Sequence, residues 1–228
     1  MAVRNASLTE PDRPESLEHG ESADIVALIQ SAQNGDAVRL GELLQVYQNY
    51  LSVLASSQID RRLRPRVSPS DVVQETMLKA HRAFADFRGR SEQELLVWLR
   101  QILLNNLATF VEQHLVAAKR DVRREVSMQR LGASLEKSTL QLASLLPANV
   151  STPSVSIQKR EDAVVLADRI AALPADYAEV LMLRNIRGHA FGEVAKLMDR
   201  SEGAARMLWL RAIEKLREVY RGESSDEQ

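Results

Sequence analysis

Apolar residues recur at helical spacing over two stretches, residues 25–118 and 159–220. The first divides into an amphipathic helix over 24–34, closed by Gly35, and a longer one over 36–62 that stops before Pro65. A third helix begins at Ser68 and a fourth runs over 92–118. The start of the third is well marked: Ser68 fits an N-cap, Pro69 the first helical position, and Asp71 a carboxylate that faces back at the third. Along this helix Val73, Met77, Ala80 and Phe84 share one stripe, which should be core, with Asp71, Gln74, Glu75, Leu78 and Arg82 opposite. The fourth helix is apolar nearly all round over Leu95, Leu96, Val97, Trp98, Leu99, Ile102 and Leu103, which predicts burial in the middle of its domain. In the second stretch, 159–173, 176–187 and 191–198 read as helices, with Pro174 between the first two. A turn at Asp199 and Arg200 leads to Ser201, a good N-cap for a last helix running to Tyr220.

Residues 145–158 hold Pro147, Pro153 and several hydroxyl side chains, the composition of a linker. The expected organisation is an acidic tail over 1–22, a helical domain over 23–130, a connector over 131–158, a smaller helical domain over 159–221, and a second acidic tail over 222–228. The predicted fold class is all-α: two small helical domains joined by a flexible linker, the C-terminal one a helix-turn-helix. Composition agrees, because nine Gly and seven Pro in 228 residues leave few helix breakers. Absence of cysteine excludes disulfides, thiolate metal sites and a cysteine nucleophile. No apolar run is long enough to span a membrane and the N-terminus lacks the apolar core of a secretory signal, so a cytoplasmic protein without membrane attachment is expected.

The chain carries 30 Lys and Arg against 31 Asp and Glu, but unevenly placed. Residues 119–130, with Lys119, Arg120, Arg123, Arg124 and Arg130, have net charge +3, and residues 184–217 have net charge +4. One basic island is usually a solvated helix face; two in separate helical units point to a polyanion partner. On the last helix, Ala205, Leu208, Ala212, Leu216 and Val219 face one way, and Gly203, Arg206, Met207, Leu210, Arg211 and Arg217 the other. Methionine and leucine set between arginines suit a DNA major groove, where guanidinium forks reach guanine edges or phosphates and apolar groups meet thymine methyls. Gly203 permits close approach, the helix-start amides can hold a phosphate, and Glu202 either complements the helix dipole or accepts from a cytosine amine. The polar outer face of the third helix is ordinarily mere solvation, but Leu78 set among Asp71, Gln74 and Glu75 makes a protein-docking face the alternative. Asn105 and Asn106 either line a wet helix side or offer an amide to a nucleotide edge. His19, His81, His114 and His189 are scattered without paired metal spacing, and there is no glycine-rich phosphate loop, so no catalytic residue, metal or cofactor is expected.

Four segments carry a family resemblance: DVVQETMLKAHRAFADFRG (71–89), WLRQILLNN (98–106), LPADYAEVLMLRNIRG (173–188) and FGEVAKLMDRSEGAARMLWLRAIEKLR (191–217). In this order and spacing the chain resembles the extracytoplasmic-function (ECF) group of bacterial sigma-70 factors, the promoter-recognition subunits of RNA polymerase. The resemblance implies that Asp71, Gln74, Glu75 and Leu78 dock on the β′ clamp helices of the core enzyme. It implies that Phe87 and Asn105 form the pocket for a flipped base of the −10 element, with Arg120, Arg123 and Arg124 along its backbone. Ser201, Glu202, Gly203, Arg206, Met207, Leu210 and Arg211 would belong to the −35-reading helix. Implied partners are core polymerase, including its β flap, promoter DNA and an anti-sigma factor; residues 145–158 would thread toward the RNA exit path, and the bound protein would sit on the nucleoid. The rival reading is a helix-turn-helix regulator with a ligand or dimerisation domain, which has no use for the Asp71, Gln74 and Glu75 face.

Overall fold

The computed structural model describes the backbone of residues 18–59, 68–115, 122–145 and 155–223, and within these the side chains of 24–59, 68–110, 128–145 and 162–219. Among the described residues there are helices and no strands. The helices are α1 (Glu18–Gln33), α2 (Ala37–Val46), α3 (Gln48–Gln58), α4 (Pro69–Ala83), α5 (Glu92–Leu115), α6 (Val122–Ala143), α7 (Val155–Ala171), α8 (Ala175–Leu181), α9 (Phe191–Leu197) and α10 (Glu202–Glu223). A 3₁₀ turn, Phe84–Asp86, follows α4, and a π turn, Met182–Ile186, follows α8. The all-α class stands. Helix α1 starts inside the segment expected as an acidic tail; residues 1–17 and 224–228 lie outside the described set.

The turn between α1 and α2 follows its residues. Gly35 adopts φ 95°, a left-handed conformation open to glycine, and Asp36 caps α2 by accepting from the backbone N–H groups of Val38 (3.0 Å) and Arg39 (3.1 Å). The single helix expected over 36–62 is instead two, broken at Tyr47, and 60–62 lie outside the described residues. Tyr47 is fully buried, its N–H turns back to Leu44 O, and its hydroxyl lies 3.1 Å from Glu92 Oε1 at the start of α5. A buried phenol whose hydroxyl must find a partner redirects the chain there. Ser68 precedes Pro69 as expected, but its hydroxyl pairs with that of Ser70 rather than capping the backbone.

Helix α5 runs through the middle of the N-terminal helices, packed on α3, α4 and α6, with Leu95, Leu96, Leu99 and Leu103 sealed from solvent. Val97, expected in the buried run, is half exposed.

The larger departure concerns the connector. Residues 131–143 form the second half of α6, which packs on α3, α5 and α7. Leu135 and Leu142 are buried, and so are Ser138 and Thr139. The hydroxyl groups of this segment are satisfied by α3: Ser138 Oγ accepts from Ser57 Oγ (3.1 Å) and Gln58 Nε2 (3.2 Å), and Thr139 Oγ1 lies 3.2 Å from Tyr50 Oη. Glu136 pairs with Arg100 of α5. Buried hydroxyls with partners are compatible with a packed helix, and composition alone does not reveal partners. Of the connector, 146–154 lie outside the described residues.

Helix α7 lays Ala163, Val164, Leu166, Ala167 and Ile170 into the same hydrophobic cluster that holds α3 and α5. The buried residues of the two halves are therefore contiguous.

Candidate nucleic-acid interface

Helices α9 and α10 are joined by the four residues Met198 to Ser201, with Asp199 at φ 52°. That left-handed conformation is one Asp tolerates better than most side chains. Ser201 Oγ accepts from the N–H of Ala204 at 3.2 Å, the N-cap expected for α10. Val194 and Ala195 of α9, Val180 and Leu181 of α8, and Ala205, Ala212 and Leu216 of α10 are buried, so α10 is held by one face. Leu208 and Val219, expected on that face, are half-buried.

Its other face is open. Glu202, Gly203, Arg206, Met207, Leu210, Arg211 and Arg217 are all exposed, Met207 by 51% and Leu210 by 48%. At about 100° per residue, Arg206 and Arg211 stand at the two margins of this face, about 140° apart, with Leu210, Gly203 and Met207 between them. Arg206 is partly positioned. Its Nη2 donates to Glu202 Oε1 at 3.0 Å, and its guanidinium lies 4.9 Å from the centre of the Phe191 ring. Arg184 stacks over the same ring at 4.9 Å, and Trp209 meets it edge-on at 5.7 Å while donating to Asn185 Oδ1 at 2.8 Å. This cluster around Phe191 was not singled out from the sequence, because its members are spread over 184–209 and only the fold assembles them.

The second surface lies on α4. Val72, Val73, Thr76 and Ala80 are buried, while Asp71, Gln74 and Leu78 are exposed and Glu75 half-buried, 3.4 Å from Lys79 Nζ. Leu78 is 43% exposed between carboxylates and an amide.

Residues 22–222 match the family described as ECF sigma factor. The chain belongs to it. It is also 28% identical over 188 residues to the ECF RNA polymerase sigma-E factor of Haemophilus influenzae, covering 82% of this chain and 90% of that protein. The proteins of the same name from Salmonella typhimurium and Escherichia coli K12 are likewise 28% identical over 188 residues, covering 82% of this chain and 89% of theirs. As an ECF sigma factor the protein is a promoter-directing subunit that works with core RNA polymerase, not an enzyme. Among the described residues no helix is long and apolar enough to cross a membrane.

For an ECF factor the placement of the expected −10 residues is informative. Phe87 does not present a free ring: it is buried with Phe84 (centroids 5.4 Å apart) and Trp98 (5.0 Å), because the 3₁₀ turn folds the chain back over the start of α5. A Cβ on Gly89 would sit 2.4 Å from the Phe87 ring, which its aromatic neighbours hold in place, so the glycine is required by that packing. Phe87 also forms part of the wall of a cavity of about 400 Å³, with His81, Arg88, Arg90 and Gln33 around it. Asn105 is exposed on α5, receives Gln101 Nε2 at 3.1 Å, and does not line that cavity. Arg120 lies outside the described residues; Arg123 and Arg124 stand in the first turn of α6 with side chains outside the described set.

The two asparagines separate clearly. Asn106 is buried, donates to Thr76 Oγ1 at 2.9 Å and accepts from Lys79 Nζ at 2.6 Å, tying α5 to α4. Asn106→Ala is expected to lower stability by about 1–3 kcal/mol by leaving Thr76 and Lys79 without this partner, whereas Asn105→Ala should change it by less than about 0.5 kcal/mol. Urea unfolding of the two variants checks this.

The loop before α5 carries a capping box that the sequence motif S-E-Q-E could have shown. Glu94 Oε2 accepts from the N–H of Arg90 (2.8 Å), the hydroxyl of Ser91 (3.0 Å) and the N–H of Ser91 (3.1 Å), and Ser91 Oγ accepts from the N–H of Glu94 (3.3 Å). The Arg90 N–H, then the Ser91 hydroxyl, hold the Glu94 carboxyl below the ordinary range. Its contribution is therefore present above an unfolded pKa of about 4.3 and lost as pH falls through the lower folded value. Glu94→Ala should lower Tm at pH 7, and its deficit should shrink as melts are recorded toward pH 3.

Proposed function

We propose that this chain docks on the β′ clamp helices of core RNA polymerase through Asp71, Gln74, Glu75 and Leu78, and reads a −35 element with the exposed face of α10. Ser201, Glu202 and Gly203 at the helix start approach the phosphate backbone, and Arg206, Met207, Leu210 and Arg211 enter the major groove. The observation that carries this reading is the exposure of Met207 and Leu210 between Arg206 and Arg211 on a helix whose opposite face is buried, in a chain of the ECF family. The C-terminal helices would in turn rest on the β flap.

The −10 element is assigned to the surface around the 3₁₀ turn, where the end of α4 meets the turn between α1 and α2, and to the helices that follow. The cavity beside Phe87 has the volume to receive a nucleobase, and Arg88 and Arg90 at its wall can hold the accompanying phosphate. Asn105 contacts the strand next to it, and Arg120, Arg123 and Arg124 follow the backbone. Extruding a base costs a few kcal/mol of stacking, which contacts of this kind offset during promoter melting.

Reconstituted transcription tests the whole reading. Core polymerase with this chain should initiate at a defined subset of promoters that core alone ignores. Specific binding of a palindromic duplex by the chain alone, with no binding to core, would favour the regulator instead.

A further inference from the structure

The short loop that joins the 3₁₀ turn to α5 is held from two sides. Residues 87–91 belong to no helix, so their backbone groups need partners from elsewhere. The carbonyls are met from α1. Gln33, in its last turn, donates its side-chain amide to Phe87 O (3.3 Å) and to Gly89 O (2.9 Å). A carboxamide nitrogen carries two hydrogens, so both bonds can be made at once. The N–H groups of Arg90 and Ser91 are met from α5, by Glu94 Oε2. Gly89 lies between the Phe87 ring and Glu94, where an added Cβ would stand 2.4 Å from the ring and 2.8 Å from Glu94 Cβ. Arg88, between the two carbonyls that Gln33 holds, turns its Nη1 back to Ala85 O at 2.7 Å.

These bonds sit at the cavity beside Phe87. One wall of it is the turn from α1 into α2, with Gly35 and Asp36; the other is formed by Phe84, Phe87, Arg88 and Arg90. Gln33 belongs to the first wall and binds the backbone of the second, so it sets how far apart the two stand. It is not needed to seat α1, whose Ile29 and Ala32 are buried while Gln33 itself is exposed. A side chain that adds little to the core, yet commits its donors to a loop 54 and 56 residues away, shapes the loop more than the fold. A loop shaped before its ligand arrives needs no ordering on binding, and its contacts go undiminished to offsetting the stacking that an extruded base gives up. We propose that Gln33 is a positioning residue for the −10 step: it fixes the backbone of 87–89 so that Phe87, Arg88 and Arg90 meet the extruded base and its phosphate at a set spacing. It acts on strand opening, after the closed complex has formed, and takes no part in core docking or −35 reading. The inference rests on the assignment of this cavity to a base of the −10 element.

Gln33→Met tests it, because it keeps the length of the side chain and removes both donors without adding charge. Melting temperature and affinity for core polymerase should match wild type. With the assembled polymerase, the dependence of open-complex formation on promoter concentration separates initial binding from the opening step. Gln33→Met should leave initial binding unchanged and slow opening about tenfold, and Gln33→Glu, which offers no hydrogens at neutral pH, should do the same. Single abasic sites placed through the non-template strand of the −10 element then show which bases wild type uses for opening. At the position whose base enters the cavity, the deficit of Gln33→Met should shrink to less than about twofold, since no base remains to be positioned for; at the others it should persist. Opening by Gln33→Met as fast as by wild type, or a deficit that persists on every abasic template, would overturn the role of Gln33 and leave it a structural tie. If no abasic site in the element slowed wild type, the base-receiving reading of the cavity would fall, and the role of Gln33 with it.

Discussion

Replacing both Asp71 and Glu75 by lysine is expected to weaken binding to core RNA polymerase by at least about 100-fold, equivalent to roughly 2.8 kcal/mol. Both carboxylates sit on the outer side of α4, whose inner side is fixed by buried Val72, Val73, Thr76 and Ala80. The reversal therefore changes the surface without opening the core. Each lysine would face a partner surface complementary to carboxylates, and like charges placed across an interface cost several kcal/mol. The effect on α4 itself is small. Losing the half-exposed Glu75–Lys79 pair (3.4 Å) forfeits at most about 1 kcal/mol, and a lysine four residues before Lys79 adds a few tenths. Equilibrium binding of labelled protein to core, with thermal melts as the folding control, checks the prediction. Unchanged affinity at low salt would remove this face from docking.

What the sequence makes legible follows a physical division. Helices with one wet face are readable: most positions of α4 and α10 fall on the side that periodicity gives them, with Met77, Leu208, Val219 and Glu75 half-buried at the margins, and Ser201 caps α10 as its identity predicts. Features that depend on a partner distant in sequence are not. Ser138 and Thr139 read as linker until Ser57, Gln58 and Tyr50 of α3 are seen to satisfy them. Tyr47 is one more apolar position in a helical run until its hydroxyl is seen beside Glu92. Phe87 is given to a base pocket by the resemblance alone, and the 3₁₀ turn that closes it against Phe84 and Trp98 leaves little trace in periodicity. The same holds for Arg187: as one base in a basic island it is unremarked, and only the π turn aims it at the end of α3. Charge counted along the sequence thus overstates the DNA-facing surface, because one of those cations is spent on an internal contact.

That distinction sharpens the expectation for the arginines that do face outward. Arg206→Ala and Arg211→Ala should each weaken complex formation on the −35 element by about 1–3 kcal/mol, and the double variant by the sum unless the two couple through the DNA. The two need not act alike. Arg211 is exposed at one margin of the face, near the direction of Met207. Arg206, at the other margin, is held by Glu202 at 3.0 Å and by the Phe191 ring at 4.9 Å. An exposed ion pair of this kind is worth at most about 1 kcal/mol, so releasing it does not prevent the guanidinium from reaching DNA. A residue that reads a guanine edge loses discrimination at one base position when truncated. A residue on phosphate weakens all sequences alike and lowers the salt slope by about one. Measuring the affinity of polymerase assembled with each variant on wild-type and singly substituted −35 elements, across 50–200 mM salt, separates the two roles. Glu202→Ala frees Arg206 from its ion pair, and the cost of Arg211→Ala should be the same in its presence. If both arginine variants kept the wild-type affinity and promoter preference, α10 would not be the reading helix, and the exposed Met207 and Leu210 would have to face a protein instead.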